Sequence, residues 1–160
     1  MATLIQEDLR QIGIKVNVVP LEFRSLAERV QRTHDFEACI LSLASPDADP
    51  NPDMAVWLSS GGNHLWNPGQ KSPATPWEAE IDTLMRKQMV TTTYAARKKL
   101  FDRVQALLLE NQPLVALVSP SLLAGAKKDL ANFRPAVIEP YTLWNVEQLY
   151  WRRNPTEPGK

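Results

Sequence analysis

The stretch that decides the fold covers residues 4–20 and reads LIQEDLRQIGIKVNVVP. Its first part places Ile5, Leu9 and Ile12 on one face, which predicts an amphipathic helix ended by the glycine that follows. Its second part alternates apolar and polar side chains, which predicts a β-strand over residues 14–19 that a proline ends. A helix joined directly to a strand indicates an α/β protein.

The same order repeats further along the chain. A helical period returns from Phe23 to about Thr33, and the apolar run Phe36 to Leu43 is typical of an interior strand. Helix, strand, helix and strand with short joints indicate parallel α/β construction. After an irregular, proline-rich stretch, the sequence predicts three more elements: a helix from Pro76 to Val90, a helix from Tyr94 that Pro113 stops, and a short strand from Leu114 to Val118.

Composition limits the function classes. The 160 residues suit one domain, and 18 basic residues balance 18 acidic ones, which argues against a nucleic-acid partner. No apolar run approaches the ~18 residues that a membrane span needs. The single cysteine, Cys39, excludes an internal disulfide and a multi-cysteine zinc site.

An acidic loop, Asp47-Ala48-Asp49-Pro50-Asn51-Pro52-Asp53, superficially resembles the start of a calcium loop. A calcium loop needs a glycine at its sixth position and a glutamate at its twelfth, and Pro52 and Leu58 stand there instead. Two interpretations remain. The loop shapes turns and caps a short helix, or its carboxylates lie at the end of a strand, where α/β sheets bind ligands.

Catalytic chemistry finds little support. Cys39 lies within a predicted strand, which is typical of a buried and inert thiol. His34 follows a helix, and His64 is the one plausible base. No serine has a nucleophile-elbow context, and two distant histidines with an aspartate make a weak metal site. We therefore predict no enzyme, no metal and no cofactor; a hydrolase using His64 and Asp47 is the remote alternative.

A second loop, residues 61–69, reads GGNHLWNPG. A tryptophan flanked by amide side chains suits recognition of a polar organic ligand. The alternative is a loop tryptophan folded over the core. The sequence leaves both interpretations open.

The ordered segments of this chain resemble family 5 extracellular solute-binding proteins, the peptide- and nickel-binding receptors of ABC transporters. The resemblance covers about residues 2–152 and rests on five segments taken in order. These are the pattern I-Q-x-x-L-x-x-I-G-I-x-V, His34-Asp35-Phe36-Glu37-Ala38, Asp49-Pro50-Asn51, the paired helices up to Asn111-Gln112-Pro113-Leu114, and Asn132-Phe133-Arg134-Pro135.

The resemblance implies an α/β fold that is part of a type II, two-lobe periplasmic-binding-protein architecture, and a chain that matches the C-terminal third of the family. Residues 2–118 would form the C-terminal half of one ligand-binding lobe. Residues 119–152 would cross back to the other lobe, and residues 153–160 would be a disordered tail.

The resemblance also implies a site and partners. In peptide-binding members an aspartate shortly before the Asp-Pro motif pairs with the ligand's α-ammonium group. Counting back from Asp49 puts that position at Ser45 or Pro46, and Asp47 reaches it if the loop shifts. The expected ligand-binding residues on one wall of the cleft are Ser45, Asp47, Asn63, Trp66 and Asn67.

The expected ligand is a peptide or a similar small polar solute, and the expected partner is an ABC permease. The full-length protein would be periplasmic or an extracytoplasmic lipoprotein, although this chain shows no signal peptide. The alternative is a free-standing, non-catalytic interaction domain derived from such a lobe, which self-associates, for instance as a homodimer, through a former interdomain surface.

Overall fold

The computed structural model describes residues 1–43, 49–119 and 121–152, which form two compact units. The first unit takes in residues 1–43 and 53–114. The second takes in residues 49–52 together with the described residues after 114. The disordered tail expected at 153–160 lies outside the described residues.

The first unit begins with two helices. Helix α1 is Ala2–Gln11, and Gly13 follows it with a φ of 83°, as the sequence predicts for a helix-ending glycine. Helix α2 is Phe23–Glu28 and continues as a π-helical turn, Arg29–Thr33. His34 ends that turn in the left-handed region, with a φ of 55°.

Three more helices complete this unit: α3 at Met54–Trp57, α4 at Pro76–Met89 and α5 at Tyr94–Asn111. Helix α4 begins with a capping box in which Thr75 and Glu78 each accept a hydrogen bond from the other's main chain, and Pro76 occupies the first turn. Helices α4 and α5 therefore start and stop within two residues of the sequence prediction.

The apolar core lies between α4 and α5. Ile81 and Met85 of α4 pack with Val104 and Leu107 of α5, and all four are buried. Partly buried side chains surround them: Met54, Trp57, Leu58, Trp77, Leu84, Phe101 and Leu108. Helix α3 and the residue that ends it, Leu58, thus pack against the α4–α5 core.

Polar contacts add to the pairing of α4 with α5. The guanidinium of Arg97 donates two hydrogen bonds, of 3.0 and 2.9 Å, to the side-chain oxygen of the buried Gln88. On the exposed side, Arg103 pairs with Glu80 across the two helices at 2.8 Å.

The prediction of strands at residues 14–19, 36–43 and 114–118 is wrong for this structure, in which none of these segments belongs to a sheet. The apolar pattern reports which side chains suit a half-buried surface, but a strand also needs a neighbour for its main-chain N–H and C=O groups. Among the described residues these segments have no partner strand, and Ile14, Val19 and Ile40 remain exposed.

The second unit contains a two-stranded antiparallel sheet of β1 (Leu130–Ala131) and β2 (Tyr150–Trp151). Leu130 lies opposite Trp151, and Ala131 lies opposite Tyr150. A 3₁₀ turn, Val146–Gln148, precedes β2. The buried Asn145 donates to the Asn132 carbonyl at 2.9 Å and so ties the turn to the end of β1. Helices and a small sheet are compatible with the α/β class.

Within the described ranges, no helix is both long enough and apolar enough to cross a membrane.

We expect Met85→Ala to lower the free energy of unfolding by about 2–4 kcal/mol, because it opens a cavity in the α4–α5 core. Met89→Ala is the matched control, since Met89 lies one turn later on the same helix and is 52% exposed. Urea unfolding followed by circular dichroism measures both. Equal losses in the two variants would contradict this assignment of the core.

Candidate functional site

The loop of residues 59–70, called the clasp loop below, follows α3 and lies against it. The Gly61 amide donates to the Leu58 carbonyl at 2.8 Å, and the Asn63 amide donates to the Ala55 carbonyl at 2.9 Å. A Cβ atom on Gly61 would lie 2.2 Å from the main-chain oxygen of Ala55, closer than two non-bonded atoms can approach. Residue 61 must therefore be glycine for the loop to lie so close to α3.

His64 lies at the buried centre of the clasp loop and is only 2% exposed. Its Nδ1 atom is 3.2 Å from the main-chain oxygen of Val56, and its Nε2 atom is 3.4 Å from Oε1 of Glu78. The ring of Trp66 covers it, with 3.8 Å between the ring centroids. His64 thus connects α3, the clasp loop and α4.

Trp66 is half-buried and lies between two other indoles. Its ring centroid is 6.4 Å from that of Trp57 on α3 and 6.3 Å from that of Trp77 on α4. Its Nε1–H group donates to Oε1 of Glu78 at 3.2 Å. These contacts favour the interpretation of Trp66 as a loop tryptophan that packs on the helices.

Glu78 is the acceptor on which these contacts meet. While Oε1 faces Trp66 and His64, Oε2 accepts from the amides of Ala74 and Thr75 at 2.8 and 2.9 Å and from the Thr75 hydroxyl at 3.1 Å. Burial raises the pKa of Glu78, but the hydrogen bonds from Trp66, Ala74 and Thr75 together outweigh burial and hold that pKa below its ordinary value. The carboxylate therefore stays ionised to more acid pH than an ordinary glutamate.

A second buried carboxylate fixes the start of the clasp loop. Asp82, one turn after Glu78 on α4, accepts hydrogen bonds of 2.8 Å from both the amide and the hydroxyl of Ser59. Arg86 donates to the same carboxylate at 3.1 Å. Both buried acids of α4 thus hold the clasp loop.

The structure describes three of the five residues predicted to bind ligand. Asn63 is half-buried and accepts a 3.0 Å hydrogen bond from Gln31 in the π-helical turn after α2, and Asn67 is exposed and donates to Gln70. The clasp loop therefore brings Asn63, Trp66 and Asn67 onto one short segment. Ser45 and Asp47 lie outside the described residues.

A groove of about 340 Å³ separates the π-helical turn after α2 from the clasp loop. Its lining carries few charges and is part apolar, part polar. The lining residues are Val30, Gln31, His34, Ser60, Gly61, Gly62, His64, Leu65, Pro68, Gly69 and Gln70.

The other sequence candidates have local roles. Asp49 of the acidic loop accepts a 2.9 Å hydrogen bond from the Asn51 amide, as a turn-shaping aspartate does. Cys39 is half-buried, and burial raises the pKa of its thiol. In the described part of the chain, no group of three or more histidine, cysteine, aspartate or glutamate side chains could hold a metal ion.

Sequence reasoning missed Glu78 and Asp82. A signal for Glu78 was present, since Thr75-Pro76-Trp77-Glu78 matches the capping-box pattern at a helix start. No sequence pattern indicates that the second oxygen of the same carboxylate reaches a loop more than ten residues upstream.

Comparison with known proteins finds relatives among bacterial transport proteins. The chain is 28% identical over 141 residues to the probable ABC transporter periplasmic-binding protein SapA of Escherichia coli K12, a match that covers 88% of this chain and 24% of that protein. It is 26% identical over 121 residues to di/tripeptide-binding protein 4 of Pseudomonas aeruginosa. That match covers 76% of this chain and 22% of that protein.

A third relative is the probable D,D-dipeptide-binding periplasmic protein DdpA of Escherichia coli K12, which is 25% identical over 133 residues. That match covers 83% of this chain and 25% of that protein. The chain spans about a quarter of the length of the curated relatives it matches, 24% for SapA of Escherichia coli. No family model matches the chain, and no solved structure matches it. The relatives confirm the resemblance to solute-binding proteins of ABC transporters.

We expect Gly61→Ala to destabilise the chain by on the order of 2 kcal/mol, because the added Cβ collides with the Ala55 carbonyl. Gly62→Ala is the matched control, since a Cβ there meets no atom within 4 Å. Thermal unfolding of both variants measures the difference. A Gly61→Ala variant as stable as the control would contradict the close approach of the clasp loop to α3.

Proposed function

We propose that this chain, a relative of the family 5 solute-binding proteins, is part of the substrate-binding component of an ABC importer. The observation that carries this proposal is the similarity to several transporter-binding proteins over most of the chain, 88% of it for SapA of Escherichia coli. The longer protein captures a peptide or a similar small polar solute for transport across the membrane. Two of the relatives are named as binding di- and tripeptides or D,D-dipeptides.

The chain contributes mainly to one lobe of a two-lobe fold. Residues 2–118 form the C-terminal half of that lobe, and residues 119–152 cross back to the other. The apolar segments 14–19 and 36–43 support this proposal, because they have strand patterns but no ladder among the described residues. A larger sheet supplies the neighbours that such segments need.

The ligand contacts one wall formed by Ser45, Asp47, Asn63, Trp66 and Asn67. Asn63 and Asn67 offer amide groups that donate and accept hydrogen bonds, and Asp47 offers a carboxylate for an ammonium group. The half-buried Trp66 offers part of an aromatic face. The common position of Asn63, Trp66 and Asn67 on the clasp loop supports this part of the proposal.

The role is binding without catalysis. His64, the one plausible base in the sequence, is buried with each ring nitrogen facing an oxygen atom of the protein. A catalytic base must instead reach the proton of a bound substrate. In the cell the longer protein works outside the cytoplasmic membrane, free in the periplasm or held as a lipoprotein, and its ligand-bound form docks on an ABC permease.

We expect the 160-residue chain alone to bind short peptides, sugars and nickel weakly or not at all, because one wall is half of a closed site. Isothermal titration calorimetry with each ligand class measures this.

In the longer protein, Asn63→Ala reduces peptide affinity roughly 2- to 10-fold through the loss of one hydrogen bond. Gln105→Ala, on the exposed face of α5, is the matched control and leaves affinity unchanged.

Two results would contradict the proposed function. Sub-micromolar binding by the 160-residue chain would show a complete site within it. A longer protein that binds none of the three ligand classes would remove the transport role.

A second candidate function is self-association through exposed apolar surface. Several large apolar side chains are at least three-quarters exposed: Phe23, Tyr94, Val115, Leu123 and Val137. Apolar surface of this kind favours contact with another protein surface, and two copies of the chain can cover it for each other.

We expect light scattering to show a dimer at high protein concentration if self-association is the function. Phe23→Ser and Val137→Ser, one in each unit, remove exposed apolar groups and separate the contribution of each unit. A clean monomer at high concentration would contradict this second candidate and leave the first untouched.

A further inference from the structure

Both ring nitrogens of His64 face oxygen atoms that can only accept hydrogen bonds. These are the main-chain oxygen of Val56, 3.2 Å from Nδ1, and Oε1 of Glu78, 3.4 Å from Nε2. A neutral imidazole carries a hydrogen on one nitrogen, so it donates to one oxygen and turns a lone pair toward the other. Only the protonated ring donates to both.

Among the charged groups near the His64 ring, the Glu78 carboxylate is the one that can act as its counter-charge. Helix α4 also carries Asp82 one turn away, but Ser59 and Arg86 occupy that carboxylate. Helix α3 offers the main-chain carbonyl of Val56, and the indole of Trp66 covers the ring. On the groove side, His34 is the titratable group that lines the same groove as His64.

Glu78 remains charged while histidine titrates. Its pKa is held below the ordinary glutamate value, and histidine changes charge between about pH 5 and pH 8. The stability contributed by the Glu78 hydrogen bonds is therefore fully present in that range and is lost only as more acid conditions protonate the carboxylate. The Glu78 partner of the pair therefore keeps its charge throughout that range.

We propose that His64 is a positioning residue whose protonation fastens the clasp loop to α3 and α4. The protonated ring holds two contacts and pairs its charge with Glu78, whereas the neutral ring gives up one contact and the charge pairing. Asn63 and Trp66 flank this contact, so they are held most firmly at the acid end of the range. Control of ligand binding by this contact rests on the proposed function; the contact itself does not.

Nuclear magnetic resonance on the whole chain tests this without any ligand. We expect the ring-nitrogen shifts of His64 to show both nitrogens protonated at low pH. The indole N–H resonance of Trp66 should move with the same midpoint, because its acceptor is the same Glu78 oxygen. The His64→Gln variant should abolish that movement, and His34→Gln is the matched control that should preserve it.

Hydrogen exchange gives the size of the effect. After correction for the intrinsic pH dependence of exchange, we expect the protection of clasp-loop amides to fall about tenfold from the acid to the alkaline end of the range, as the loss of one charge-assisted hydrogen bond implies. In Glu78→Gln the same fall should shrink to about twofold or less, because the partner charge is gone.

The proposal is overturned if the His64 ring keeps one neutral tautomer throughout, or if the Trp66 resonance titrates equally in His64→Gln. The ring shifts, the Trp66 resonance and the amide protection are all read on the unaltered chain, so together they decide the matter even if a variant fails to fold. An intact titration without peptide binding by the longer protein would contradict the proposed function alone. Peptide binding without the titration would contradict this inference alone.

Discussion

The carboxylate of Glu78 connects the clasp loop to the start of α4, two parts of the chain that are separated in sequence. Its Oε2 atom closes the first turn of α4 through the amides of Ala74 and Thr75, and its Oε1 atom meets the indole of Trp66 and the ring of His64. Helix α4 in turn packs on α5 through the apolar core. The position of the clasp loop therefore depends on the helix pair, and the connection passes through the Glu78 carboxylate, with Asp82 fixing the start of the loop.

The arrangement shows how an irregular loop acquires a defined position. A buried charge is costly unless it is paired and hydrogen-bonded, and Glu78 and Asp82 each receive several hydrogen bonds. Apart from Arg86, the donors come from the loop and from the start of α4, so the same hydrogen bonds satisfy the carboxylates and fix the loop. The close approach at Gly61 adds a steric condition that only glycine meets. For a relative of solute-binding proteins, this gives a rigid support for the side chains proposed to meet a ligand.

Sequence patterns predicted the helices well and the strands poorly. The signals for α4 and α5 are local: apolar side chains at helical spacing, Pro76 in a first turn and Pro113 after an end. The sequence signal for a strand is only partly local, because the strand that it pairs with lies elsewhere in the chain or in another part of a longer chain. Segment 14–19 has the strand pattern but no ladder among the described residues. The candidate site divides in the same way, since the loop that carries Asn63, Trp66 and Asn67 is visible in the sequence and the acids that hold it are not.

By itself the sequence determined the positions of the long helices and the kinship with transporter-binding proteins, because these depend on spacing and ordered motifs. Tertiary structure decided the role of individual side chains. His64 could have been a base in an open loop, but the structure buries it between a carbonyl and a carboxylate. Trp66 could have been a fully exposed aromatic side chain, but it is half-buried and its indole N–H donates a hydrogen bond to Glu78. The physical reason is that the packing of the helices decides which side chains far apart in sequence become hydrogen-bond partners. No local sequence pattern encodes that pairing.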